Sequence, residues 1–161
     1  MKSLNGLVKE LESRYYFDPL KRKFEEKAEG VSLLKALDYL TKIMQESIPE
    51  VGKLIQKRID EGLINDFDQA SKTVAGNAFQ GLVAYALTRH QQAELLSQDV
   101  EITLKPKRHK IVNEYTTIKV GNEVQKPDID LLIYSKSQTF QKTCVDLFDE
   151  DLFKRACWAN L

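Results

Sequence analysis

Cysteine is scarce: Cys144 and Cys157 are the only two in 161 residues, and both lie in the last eighteen. No His or Cys stands at ligand spacing around them, so neither a zinc site nor a disulfide framework is expected. Net charge is missing too, since 24 Lys and Arg balance 24 Asp and Glu, and any attraction to nucleic acid must be local. No apolar run approaches a membrane span, and the opening MKSLNGLVKE lacks the apolar core of a signal peptide. No membrane partner is therefore expected, and a cytoplasmic location is the default. There is also no Gly-rich phosphate loop, no nucleophile elbow and no paired-histidine helix. What is present is ordinary, 42% hydrophobic and 30% charged, which excludes wholesale disorder and suits one domain with a sizeable core.

Residues 3 to about 95 read as helices. In SLLKALDYLTKIMQ the apolar residues at 33, 34, 37, 40, 43 and 44 form one stripe, and Ser32 is placed as the cap. IPEVGKLIQKRIDEGL opens with Pro49, tolerated in a first helical turn, and ends near Gly62, which predicts a separate helix there. DQASKTVAGNAFQGLVAYALTRHQQAELL is the longest pattern, with Val74, Ala78, Phe79, Leu82, Val83, Ala86 and Leu87 on a broad apolar face. Gly76 and Gly81 each cost about 1 kcal/mol against alanine inside a helix, so close backbone packing is the expected compensation. From 100 to about 136 the period changes. VEITL and YTTIKV alternate, Gly121-Asn122 breaks the chain, and EVQKPDIDLLIYS follows as one strand. The expected fold class is α+β, N-terminal helices followed by a small antiparallel meander. Residues 137–161 fit neither period.

Two segments carry candidate chemistry. Pro127-Asp128 reads either as the turn chemistry that starts a strand or as a carboxylate holding a divalent metal at the strand's edge. On that strand Asp128, Asp130, Leu132 and Tyr134 share one face. Asp130 is one pleat away, some ~7 Å, and adds to the negative field. LKPKRHK places Lys105, Lys107, Arg108 and Lys110 in a loop, either as a solvated turn or as phosphate contacts. His109 and His90, the latter at a helix end, read as exposed companions rather than bases. Gln80 is an amide where a helix could face a metal-bearing strand.

AGNAFQGLVAYAL followed by KPKRHKIVNEYTTIKVGNEVQKPDIDLLIYS resembles the first part of a type II restriction endonuclease of the PD-(D/E)xK superfamily. The resemblance covers roughly residues 65 to 136 and implies the first part of a restriction-endonuclease-like core. It further implies Mg²⁺ held by Asp128 with Asp130 beside it, double-stranded DNA as partner, a homodimer, and cutting around CCGG. Gln80 sits where some members place an additional glutamate. The organisation this implies is a helical region over 1–64, a partial core over 65–136 and a tail over 137–161.

The family's next strand brings a second acid or its substitute and a lysine, in strings like IYSxKTSLRERAGQT. The tail supplies neither in register, although Lys136 and Lys142 are present. The genetic code accounts for this. Joining the last two bases of each codon to the first of the next, Phe148-Asp149 allows Leu or Ser, Glu150-Asp151 allows Lys or Arg, and Trp158-Ala159 demands Gly. Every junction from Phe148 to Leu161 admits STKTSLRERAGQT, and those from Thr143 to Phe148 admit LVLIY, a buried strand. The expectation is a frameshift near residues 137 to 143, leaving a remnant of a site-specific deoxyribonuclease that is inactive as this chain. The rival expectation is a non-enzymatic helical interaction or DNA-binding protein, with the glycine-bearing face of residues 74 to 87 as its dimer surface.

Overall fold

The helical periodicity of the first hundred residues resolves into α1 (Leu4–Glu12), α2 (Phe17–Lys27), α3 (Leu33–Asp60) and α4 (Phe67–Gln92). Four short strands follow: β1 (Val100–Leu104), β2 (Ile118–Val120), β3 (Glu123–Gln125) and β4 (Leu131–Ser135). The computed structural model describes residues 4–105, 118–120, 122–125 and 130–135. The class is α+β, and the chain divides into two compact units, 1–96 and 97–161, rather than the single one its length suggests. Among the described residues no helix is long and apolar enough to cross a membrane.

In the first unit α4 packs on α1, α2 and α3, so it belongs to the helical bundle. Its residues from Ala84 to Thr88 are all buried. Five consecutive positions circle a helix of 3.6 residues per turn, so α4 is covered on every side there. Gly81 is where that cover comes closest. A Cβ added to it would stand 3.1 Å from Leu11 Cδ2 and 3.2 Å from Arg14 Nη1, the close approach expected of a helical glycine. Gly76 has nothing within 4 Å and serves no such purpose. Tyr85 is wedged edge-on between Phe17 and Phe24, with ring centroids 5.4 Å away in each case. Val74, Ala78, Leu82 and Tyr85 are thus consumed inside the chain. Ala75 and Gly76 of the face expected to serve a homodimer stay exposed, with Phe79 and Val83 half-buried.

Ser32 caps α3 as expected, its side chain accepting from the Lys35 N–H. Pro49 does not open a new helix. It lies inside a single helix of 28 residues. Proline in a helix interior loses one backbone hydrogen bond and costs about 3 kcal/mol. The packing of α3 along α2 and α4 holds the helix together across it. Between α2 and α3, Lys27 Nζ lies 3.1 Å from Glu46, and Arg22 reaches Glu50 one turn further on. The Lys27 ammonium keeps the Glu46 carboxyl below its ordinary range.

Both long helices end in the same motif. Gly62, at φ 72, follows α3, with Gly62 N–H donating to Ile59 and Leu63 N–H to Arg58. Glu94, at φ 60, follows α4, with Glu94 N–H donating to Gln91 and Leu95 N–H to His90. This is the left-handed termination in which glycine is free and other residues are strained.

The second unit differs from the expected meander. β1 pairs with β4 and β2 with β3, both antiparallel, in two separate two-stranded sheets. The expected single strand EVQKPDIDLLIYS is two strands, β3 and β4, with residues 126–129 between them outside the described set. The two-residue connection expected after Val120 is present, since Val120 pairs with Glu123.

Two stability tests follow from the first unit. Gly62→Ala is expected to cost about 1 kcal/mol and Glu94→Gly to gain a similar amount, read as opposite shifts of the urea midpoint. Burial drives the Tyr85 phenol up from 10.0 to about 12. Between those values the unfolded chain releases this proton and the folded chain keeps it, so stability falls as pH rises from 10 to about 12. Tyr85→Phe is expected to flatten that alkaline limb in thermal melts.

Candidate functional site

The basic segment and the acidic segment leave the same end of one ribbon. β1 and β4 pair with Val100 opposite Ser135, Ile102 opposite Ile133 and Leu104 opposite Leu131. The pairing runs one step further, because the Lys105 N–H donates to the Asp130 carbonyl at 2.8 Å. Lys105 adopts φ 49, an uncommon value for a residue with a Cβ. That left-handed turn takes the chain out of the strand just as the basic residues begin. Lys105 and Asp130 thus stand side by side at the end of the ribbon. Both side chains are exposed.

Of the candidate residues, the structure brings Lys105 and Asp130 together. Asp128, Lys107, Arg108, Lys110 and His109 lie outside the described residues, as does the tail from 137 to 161. Gln80 lies in α4, half-buried, with its Oε1 enclosed and without a hydrogen-bond partner among the described residues. His90 is a correction. It is 2% exposed rather than solvated, because the last turn of α4 is covered by the α2–α3 connection.

Glu101 is the residue that sequence reasoning missed. It is 8% exposed and stands opposite Tyr134, with Thr103 opposite Leu132 on the same face. The alternation of VEITL put Glu101 beside Thr103 on what reads as a polar face, so nothing in the sequence marked it as buried. It does not complete a site with Asp130. Four strand positions separate its partner Tyr134 from Asp130, ~13 Å at ~3.3 Å per residue. Among the described residues no group of three or more His, Cys, Asp or Glu could hold a metal ion.

The chain matches no protein-family model, no curated protein and no solved structure.

The cations of the basic segment are open to a direct test. If Lys105, Lys107, Arg108 and Lys110 bind phosphates, replacing all four with alanine is expected to weaken duplex binding uniformly across sequences. The slope of log affinity against log salt is expected to fall by about 3 to 4, roughly 0.9 for each phosphate no longer neutralised. Fluorescence anisotropy over a salt series reads this, and an unchanged slope removes the loop from any DNA interface.

Proposed function

We propose that this chain carries the N-terminal part of a type II restriction endonuclease of the PD-(D/E)xK kind and does not cut DNA as it stands. The reading rests on the sequence resemblance. It is supported by one structural observation, the bond from the Lys105 N–H to the Asp130 carbonyl. That bond gathers the foot of a basic segment and the foot of a Pro-Asp segment at one ribbon end. A phosphodiester needs both kinds of group, cations to position its backbone and carboxylates to hold a hard cation beside it. Sequence-specific contacts would come from other segments, because a basic loop speaks to phosphate and not to base edges.

Mg²⁺ is the cofactor that the resemblance implies, and in such enzymes it activates water and stabilises charge on the scissile phosphate. Asp130 is a hard oxygen donor of the right kind. One carboxylate is not a site, however, and Asp128, the other acid that the resemblance implies, lies outside the described residues. The segment after Ser135 carries no acid and lysine in register for a second ligand strand. Groups of this kind act as a unit, and losing one costs orders of magnitude in rate.

The second reading, a non-enzymatic helical interaction or DNA-binding protein, draws on the first unit, whose four helices share a core of their own. The nucleotide sequence after codon 136 separates the two. On the nuclease reading, the gene one base over encodes LVLIYSTKTSLRERAGQT; any other string there removes the frameshift. The purified chain is expected to leave supercoiled DNA bearing CCGG sites intact in Mg²⁺. Cutting that disappears in Asp128→Ala would overturn the expected inactivity while keeping the family reading.

A further inference from the structure

α3 carries two apolar stripes, and the helical bundle consumes one of them. Ala36, Leu40, Ile43 and Ser47 are buried in the bundle. The second stripe is Leu34, Leu37, Thr41, Met44, Ile48 and Val51, spaced three and four residues apart in turn. Leu34, Thr41 and Ile48 are exposed, while Leu37, Met44 and Val51 are half-buried. Leu34 and Ile48, at 72% and 65%, are the most exposed large apolar side chains among the described residues. A single exposed leucine is ordinary, but a repeat every seven residues in two interleaved rows is the period of a helix-on-helix seam. The stripe continues to Ile55, which is 2% exposed, so the chain's own core closes that end. From Leu34 to Val51 it runs ~25 Å at ~1.5 Å per residue.

We propose that α3 pairs antiparallel with α3 of a second copy along this stripe. The order of the residues selects that occupant. Turned end over end about a twofold axis between Lys42 and Ile43, the stripe maps onto itself. Leu34 comes level with Val51 of the second copy, Leu37 with Ile48, and Thr41 with Met44. Each layer joins an exposed position on one copy to a half-buried position on the other. That matches protrusion to recess, as packed helices require.

A parallel pair would stack Thr41 on Thr41 and align two helix dipoles that the antiparallel pair opposes. Charge does not stand against the pairing, since no charged residue lies in the stripe. On its flank Asp38 comes within a turn of Gln45 of the second copy, an acceptor near an amide donor, and both are exposed. Lys42, next to the axis, is answered in its own helix by Glu46 at 4.0 Å. The seam is distinct from the glycine-bearing face of residues 74 to 87. It lies wholly in the first unit, so it stands or falls independently of the nuclease reading.

Sedimentation equilibrium of the full-length chain at micromolar concentration is expected to give about twice the 18.5 kDa of one chain. Ile48→Glu places a charge in the seam twice per dimer, and the dissociation constant is expected to rise about 100-fold or more. Ile48 is exposed in the single chain, so the helical circular dichroism signal of the variant is expected to match wild type. Register is read by cross-linking in chains carrying Cys144→Ser and Cys157→Ser. A mixture of Leu34→Cys and Val51→Cys chains is expected to form a mixed disulfide on oxidation, and Leu34→Cys alone to form none. A monomeric wild-type chain, or an Ile48→Glu dimer as tight as wild type, overturns the seam. A disulfide from Leu34→Cys alone, or none from the mixture, overturns the antiparallel pairing.

Discussion

The helical unit depends on burying α4 on every side. A helix at the edge of a bundle has one face to satisfy, and its neighbours can shift to suit it. A helix enclosed all round over Ala84 to Thr88 leaves no such freedom. Side-chain volume on each face decides how near the neighbour comes. Gly81 lets Leu11, Arg14 and Phe17 approach from one direction. Tyr85 sets the spacing in another, filling the gap between Phe17 and Phe24 and welding α2 to α4. One polar group drawn in with the helix is satisfied locally: the Thr88 hydroxyl donates to the Ala84 carbonyl at 2.7 Å. The same logic captures His90. Once its turn of α4 is enclosed, its polar ring needs partners inside, and the carbonyls at hand are those of Ala86 and Val31.

How much of this could be read from the chain differs by the range of the interaction that decides it. Signals confined to one turn were legible. Ser32 as a cap and Gly62 past a helix end both stand where local chemistry puts them. Glu94 performs the same role as Gly62 without announcing it, because only the backbone strain tolerated in the fold distinguishes it from any surface glutamate. Pro49 shows the opposite failure. The local rule, that proline suits a first turn, is sound, yet α3 runs through it because packing along two neighbours outweighs one missing hydrogen bond. His90 and Glu101 have ordinary sequence contexts, and their burial comes from residues distant in the chain.

Strand pairing was the least legible feature. Alternation located the strand segments around 100–104, 118–120 and 131–135, and it says nothing about which pair. Neighbours in sequence suggested a meander. The chain instead closes β1 on β4 across more than twenty-five residues and leaves β2 and β3 to pair with each other. Loop-closure entropy explains why sequence distance is a poor guide here. Each doubling of the loop adds only about 0.6 kcal/mol, less than matching the apolar residues Ile102 to Ile133 and Leu104 to Leu131 can return.

That closure has a chemical consequence beyond topology. The expected meander placed the basic segment in the loop after the first strand and Pro127-Asp128 on the last strand. Pairing β1 with β4 brings the first residue of the basic segment, Lys105, against Asp130. On the proposed nuclease reading this is a workable arrangement for engaging phosphate, because positioning and metal holding converge without needing the rest of the sheet. Catalysis is a different demand. It requires the second ligand and the lysine on a neighbouring strand, fixed to within a fraction of an ångström of the first acid. On the proposed nuclease reading binding and cleavage would be separable, since the groups for one precede Ser135 and those for the other would have to follow it.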